Sequence, residues 1–103
     1  MTQFEIRKVA SGRFCLSGEL DMASAKSLHE ALAPVVRGDA HIVLDLEELT
    51  FIDSSGIRAL LDLSHRLNGA APLALVNVPD AVQRVLDIVG LESLPGIEVV
   101  AGG

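Results

Sequence analysis

The N-terminal part of the chain contains two short stretches in which apolar and polar residues alternate. The first runs from Phe4 to Val9, and the second passes through Phe14 and Leu16, with Ser-Gly at 11–12 between them. Alternation with a period of two is typical of strands that are buried on one face, and Ser-Gly is a common turn pair. The pattern therefore predicts an N-terminal β-hairpin.

Three later stretches repeat their apolar residues every three or four positions, as amphipathic helices do. The repeating positions are Ala25, Leu28, Leu32 and Val35/Val36 in the first, Ile57, Leu60, Leu61 and Leu67 in the second, and Val82, Val85, Leu86 and Val89 in the third. Asp21 or Ser24 can cap the first helix, and Pro34 predicts a kink or an early end. The second helix is predicted to start at DSSG, residues 53–56, and the third to end at Gly90 in a left-handed conformation.

Three apolar runs predict the remaining strands: HIVLDLEEL at 41–49, LALVNV at 73–78 and IEVV at 97–100. The first is expected to be the central strand and to be covered on both faces, because it begins with a run of β-branched and leucine residues. Strands that alternate with helices pair in parallel through right-handed crossovers, whereas the hairpin adds an antiparallel pair. The predicted fold is therefore α/β, with a mixed four- to five-stranded β-sheet, an N-terminal hairpin and α-helices packed against the sheet.

The length of 103 residues predicts a single domain spanning 1–103, which buries roughly 65% of the surface of the unfolded chain. The longest apolar runs are far shorter than the roughly 20 residues that cross a bilayer. The opening residues, MTQFEIRK, lack the basic segment, apolar stretch and cleavage site of an export signal. The sequence therefore predicts a cytoplasmic protein.

The net charge of the chain makes some classes of binding partner improbable. A formal net charge of −6 and a sequence pI near 4.8 repel phosphate backbones and anionic lipids, and the three aromatic residues are all Phe. We therefore expect neither nucleic acid nor a membrane as partner, and instead a protein with a basic surface. The single Cys15 lies within an apolar alternation, which predicts a small buried side chain rather than a disulfide or a zinc ligand.

The stretch FIDSSGIRALL, residues 51–61, allows a structural and a chemical interpretation. Asp53 and Ser54 are residue types preferred at helix N-caps, and Gly56 can relieve crowding at the turn. Alternatively, two hydroxyls at a helix start lie where backbone donors point outward, which suits a phosphate. Arg58 follows Ser54 by four residues on the same helical face and is within reach of such a phosphate.

Catalytic and metal sites are not supported by the spacing of the polar residues. His65 follows Ser54 by 11 residues on the same predicted helix, about 16 Å along its axis, which is too far for proton transfer. The sequence has no GxSxG turn, no Walker-type loop, no GxGxxG fingerprint and no histidine-containing acidic cluster at metal-ligand spacing. We therefore predict no catalytic residue, no metal and no cofactor of its own.

Three segments, GELD (18–21), LEELTFIDSSGIRALL (46–61) and VQRVLDIVGL (82–91), occur in an order and spacing that resembles the anti-sigma factor antagonists. These are single-domain members of the sulfate transporter and anti-sigma antagonist (STAS) fold. The resemblance implies that Ser54 is the phosphorylation site, with Ser55 as a secondary candidate, and that Asp53 caps the helix and orients the hydroxyl. It places a GELD loop beside this site, with Gly18, Glu19 and Asp21 as candidates for the surface that faces the kinase. Together with the residues of the DSSG stretch and Arg58, the predicted partner-binding set is Gly18, Glu19, Asp21, Asp53, Ser55, Gly56 and Arg58. The sporulation member of the family has a glycine at the position of Arg58.

The resemblance implies a regulatory protein without enzymatic activity that takes part in partner switching. In such a cycle the unphosphorylated form binds an anti-sigma factor serine kinase and frees the sigma factor. The kinase then uses its own ATP to phosphorylate Ser54, which ends the binding, and a PP2C-type phosphatase restores the active form. An alternative within the same fold is a STAS subunit that stabilises the ATPase of a lipid-transporting ABC complex. The two serines and the full GELD motif favour the antagonist.

Overall fold

The protein alternates strands and helices after an N-terminal hairpin. A computed structural model describes residues 3–36, 41–67, 72–91 and 96–100 of the chain. In chain order its elements are β1 (Glu5–Ala10), β2 (Arg13–Leu20), α1 (Met22–Leu32), β3 (Val43–Ile52), α2 (Ser54–Arg66), β4 (Leu73–Val76), α3 (Asp80–Val89) and β5 (Ile97–Val99).

The five strands form one sheet in the order β1-β2-β3-β4-β5. β1 and β2 pair antiparallel across the turn at residues 11–12, and the pairs from β2 to β5 are parallel. The predicted mixed sheet, the hairpin and the central position of β3 are therefore confirmed. β3 continues to Ile52, three residues beyond its predicted end at 49, so that it leads directly into Asp53.

The helices pack on one face of the sheet, and the core lies between them. Along β2, Phe14, Leu16 and Leu20 are buried, whereas Cys15 and Ser17 between them are half-buried. The helices complete this core with buried apolar side chains, which are Leu28 and Leu32 of α1, Ile57, Ala59, Leu60 and Leu63 of α2, and Val82 and Leu86 of α3. Removal of this apolar surface from water is the main driving force that holds the helices on the sheet.

The other face of the sheet carries polar side chains, so the prediction that β3 is covered on both faces is wrong. The Asp45 carboxylate of β3 accepts a hydrogen bond from the Asn77 amide at 3.0 Å and lies 3.5 Å from the Arg13 guanidinium. Cys15 is half-buried on this same face and not in the core as predicted. Burial and the neighbouring Asp45 carboxylate raise the pKa of its thiol.

The ends of the elements follow local signals in the sequence. α1 ends at Leu32, before Pro34, so the early end and not the kink is correct. Gly90 ends α3 with a φ of 68°, as predicted for a left-handed position. β4 ends at Val76 and not at 78, because Asn77 has a φ of 53° and leaves the extended conformation.

Candidate partner-binding site

The segments GELD and DSSG meet at one edge of the sheet. β2 and β3 are parallel neighbours, with Leu20 opposite Ile52 and Glu19 opposite Phe51, and each strand is followed by an aspartate and a helix. α1 and α2 therefore begin side by side at the carboxyl ends of their strands. GELD is not a loop, contrary to the prediction, because its first three residues end β2 and Asp21 is the N-cap of α1.

Ser54 is the first residue of α2, and its side chain is exposed. Asp53 precedes it as the N-cap, and the Asp53 Oδ1 atom accepts hydrogen bonds from the Ser55 and Gly56 amides at 2.9 and 3.1 Å. The Asp53 amide donates to the Leu20 carbonyl of β2 at 3.3 Å. These bonds fix the first turn against the neighbouring strand and present the Ser54 hydroxyl to solvent.

Asp53 acts on the backbone of this turn and not on the Ser54 hydroxyl. It caps the helix as predicted, but within the described ranges the Ser54 hydroxyl makes no hydrogen bond to its carboxylate. The predicted orienting contact is therefore not formed. Ser55 is half-buried, so Ser54 presents the more accessible of the two adjacent hydroxyls.

Two glycines of the predicted partner-binding set are buried and shape the site from beneath. A Cβ atom on Gly56 would lie 2.5 Å from the Leu20 carbonyl oxygen and 2.8 Å from Ile52 Cγ1, so only glycine lets α2 approach the end of β2 this closely. Gly18 has a φ of 89°, and a Cβ there would overlap the Gln3 carbonyl oxygen. As buried backbone positions, Gly18 and Gly56 hold the exposed residues in place and do not form the outer surface themselves.

The start of α1 is closed by a reciprocal pair of side-chain contacts. Asp21 Oδ1 accepts hydrogen bonds from the Ala23 and Ser24 amides, both at 3.1 Å, and the Ser24 hydroxyl accepts from the Asp21 amide at 2.8 Å. The Ser24 hydroxyl donates to the Glu19 carbonyl at 2.6 Å, which ties the helix to the end of β2. The Ser24 hydroxyl also lies 3.0 Å from Asp21 Oδ1, and the Ser24 amide and hydroxyl together lower the pKa of the Asp21 carboxyl below its ordinary value of 3.8.

Two exposed apolar side chains at this edge were not predicted as site residues. Met22, the first residue of α1, is 76% exposed, and Phe51, opposite Glu19, is 47% exposed. The signal for Phe51 is the spacing of the buried residues Leu46, Leu49 and Ile52 by three instead of two. That spacing arises from two register shifts between β3 and β2, which turn Phe51 away from the core.

The described residues contain no group of three or more His, Cys, Asp or Glu side chains that could hold a metal ion. His29 Nε2 lies 3.6 Å from Asp62 Oδ2 and links α1 to α2, while His65 is exposed near the end of α2. None of the helices in the described ranges has the length and apolar character to cross a membrane.

The fold and much of the sequence are similar to those of known proteins. The family described as the STAS domain matches residues 6–100. Among solved structures, the anti-sigma factor antagonist SpoIIAA in its unphosphorylated form has a TM-score of 0.71 at 24% identity, over 97% of this chain and 90% of that one. The phosphorylated form of SpoIIAA from Bacillus has a TM-score of 0.65 at 23% identity, over 97% and 93% of the two chains. At these identities the comparison establishes the shared fold.

Two relatives are similar in sequence over most of their length. BtrV of Bordetella bronchiseptica, described as an anti-sigma factor antagonist, is 34% identical over 82 residues, which are 78% of this chain and 71% of BtrV. The anti-sigma-B factor antagonist of Staphylococcus aureus is 31% identical over 81 residues, 77% of this chain and 75% of the relative. The chain therefore belongs to the STAS domain family, and its relatives there are anti-sigma factor antagonists.

Proposed function

We propose that the protein is an anti-sigma factor antagonist in which the Ser54 hydroxyl is the switch of a partner-switching cycle. The unphosphorylated form binds an anti-sigma factor serine kinase in the cytoplasm and thereby frees the sigma factor. Phosphorylation of Ser54 ends this binding, and a PP2C-type phosphatase restores the hydroxyl. The observation that carries the proposal is the exposed position of Ser54 at the start of α2, beside the end of β2.

The modification needs the hydroxyl of this protein and the ATP of its partner. Ser54 Oγ forms a bond to the γ-phosphorus of ATP, the bond from that phosphorus to the β–γ bridging oxygen breaks, ADP leaves and the hydroxyl proton passes to a base of the kinase. The phosphatase removes the group by hydrolysis: water attacks the phosphorus, the bond from phosphorus to Ser54 Oγ breaks, Oγ takes up a proton and inorganic phosphate is released. Because the hydroxyl is exposed and Asp53 holds the turn, neither step requires a change of fold.

The surface around Ser54 combines apolar anchors with acidic groups. Met22 and Phe51 offer exposed apolar area, while Glu19 and Asp21 add carboxylates, and this combination fits a partner with apolar and basic residues. A groove of about 320 Å³ opens beside them, lined by Gln3, Phe4, Glu19, Asp21, Ala23, Ser24 and Ser27. Its acidic and hydroxyl lining suits a lysine or arginine of the kinase.

Phosphorylation acts on this surface through charge. A phosphoserine adds about −1.5 to −2 charges at neutral pH, next to an edge that already carries Glu19, Asp21 and Asp53. Burial of the phosphate in an interface then has a desolvation cost, and the neighbouring carboxylates raise it. A loss of about 2.8 kcal/mol weakens binding a hundredfold, which is enough for a switch.

The test combines intact-mass analysis with binding. Incubation with the cognate kinase and ATP should add one phosphate, about 80 Da, to the parent and to Ser55→Ala, and none to Ser54→Ala. Ser54→Ala should remain bound to the kinase in the presence of ATP, and Ser54→Asp should bind poorly. Full phosphorylation of Ser54→Ala at another residue would show that the assigned site is wrong.

Co-purification separates this proposal from the ABC-subunit alternative. An antagonist should retain an ATPase of the anti-sigma kinase type, whereas an assembly subunit should retain an ABC nucleotide-binding subunit. The names of the sequence relatives favour the antagonist. Recovery of the ABC subunit alone would replace the proposed function.

A further inference from the structure

Among the residues that the structure describes, one arginine next to Ser54 has no partner. Arg58 is exposed and follows Ser54 by one helical turn of α2, so their Cβ atoms lie about 5–6 Å apart on one face. Within the part of the chain that the structure describes, Arg58 forms no ion pair and no side-chain hydrogen bond. Asp62, one turn further on, lies 3.6 Å from His29 of α1. The guanidinium of Arg58 is therefore available.

The backbone of the first turn has only one amide left for a phosphate. A helix start leaves four amides without an acceptor inside the helix. Here the Ser55 and Gly56 amides bind the Asp53 carboxylate, and the Asp53 amide binds the Leu20 carbonyl. The amide of Ser54 remains, whereas a phosphate on Ser54 brings three strong acceptor oxygens. A donor side chain close to Ser54 would therefore add hydrogen bonds that these amides do not supply.

We propose that Arg58 pairs with the phosphate of phosphorylated Ser54 and is the residue that stabilises the phosphorylated state. The inference rests on the proposed function, since it concerns the modified form of the same site. Arginine offers two parallel N–H donors that match the oxygens of a phosphate, and the carboxylates of Asp53 and Asp62 on the same helix make no competing bond to it.

The pairing has two consequences for the cycle. The partner kinase loses access to the Arg58 cation at the same moment as it meets the phosphate, because both groups are engaged with each other. The phosphatase has to compete with the guanidinium for the phosphate oxygens, so the pairing should lengthen the lifetime of the phosphorylated form. The pairing itself is intramolecular and is present in the isolated protein.

The test places phosphoserine at position 54 during translation, so that no kinase is needed. Titration followed by phosphorus NMR gives the second pKa of the phosphate, ordinarily about 6, in the phosphoprotein and in its Arg58→Gln, Arg58→Lys and Arg66→Gln variants. Arg66 is the matched control, because it is an exposed arginine of the same helix 12 residues from Ser54. That spacing is about 18 Å along the axis, beyond the Debye length of about 8 Å at physiological ionic strength.

Arg58→Gln should raise this pKa by about 0.3 units, as expected for loss of a surface ion pair, and the difference should diminish in 1 M salt. Arg58→Lys should fall between the parent and Arg58→Gln, because lysine keeps the charge without the paired donors. Arg66→Gln should match the parent. An unchanged value in Arg58→Gln, or equal shifts in Arg58→Gln and Arg66→Gln, would overturn the pairing. Phosphorylation by the kinase is measured separately, so failure of the pairing and failure of the proposed function are distinguishable.

Discussion

The starts of α1 and α2 have the same backbone geometry but carry different chemistry. Asp21 has φ −122° and ψ −166°, Asp53 has φ −119° and ψ −171°, and each carboxylate accepts from two amides of its turn. The first residue after the cap is Met22 in α1 and Ser54 in α2. The aspartate therefore determines how the helix leaves the strand, and the next residue determines whether an apolar side chain or a hydroxyl is exposed at this edge.

The third residue of each helix explains how the two starts are held at one edge. In α1 the Ser24 hydroxyl donates to the Glu19 carbonyl at 2.6 Å, so a hydrogen bond joins the helix to β2. In α2 the same position is Gly56, where a Cβ atom would collide with the Leu20 carbonyl oxygen. α2 is thus joined by close packing, and this brings Ser54 next to the acidic end of β2.

The largest predicted effect tests whether the two helices are equally anchored in the core. Leu28 of α1 and Leu60 of α2 are both fully buried, so Leu28→Ala and Leu60→Ala should each lower the free energy of unfolding by about 2–5 kcal/mol. Urea denaturation followed by circular dichroism measures this loss. A loss below about 1 kcal/mol in either variant would contradict the placement of that helix.

The next prediction tests the difference between Ser24 and Gly56 at the third position of the two helices. Gly56→Ala should destabilise the protein by about 1–3 kcal/mol, because the added methyl meets the Leu20 carbonyl. Helix propensity alone predicts the opposite sign, a gain of about 1 kcal/mol. The matched control is Ser55→Ala, which gives α2 the residue that α1 has at Ala23 and should change stability by less than about 0.5 kcal/mol. A Gly56→Ala variant more stable than the parent would show that α2 does not pack this closely.

The sequence predicted the backbone of this site better than its surface. The cap at Asp53 and the helical period after it are local features, so a single strand–helix segment is enough to predict them. The exposure of Phe51 is not local, because it depends on the register shifts that β3 makes when it pairs with β2. The open face of β3 is not local either: the apolar run at 41–49 predicts a strand covered on both faces, but the helices pack on one face only, and Asp45 pairs with Arg13 and Asn77 on the other.

A smaller effect tests whether the apolar anchors serve binding and not folding. Phe51→Ala should lower the free energy of unfolding by only about 1 kcal/mol, because about half of the side chain is already exposed. The same change should weaken the binding of the unphosphorylated protein to its partner kinase about tenfold, as truncation of an aromatic anchor does. Ile88 of α3, which is 83% exposed, provides the control. Calorimetric affinities for Phe51→Ala and Ile88→Ala that do not differ would remove Phe51 from the partner-binding surface.

The smallest effect concerns the acid dependence of the α1 cap. The folded-state pKa of Asp21 lies below its ordinary value, so the unfolded chain binds a proton at a higher pH than the folded protein. The ionised cap therefore stabilises the fold fully above about pH 4, and this contribution is lost as the pH falls through the lowered folded-state pKa. Asn caps helices about as well as Asp but does not titrate.

Asp21→Asn should consequently resemble the parent in stability at pH 7 and lose less stability than the parent when the pH is lowered from 5 to 2. Urea midpoints measured across this range provide the comparison, since every other carboxylate is shared by the two proteins. The variant isolates the charge of the cap from its hydrogen bonds, which Ser24 and Ala23 still donate to an asparagine oxygen. Identical acid profiles would mean that ionisation of Asp21 does not stabilise the folded state. The two caps would then share a backbone geometry, but the start of α1 would not show the electrostatic preference of a helix start for negative charge.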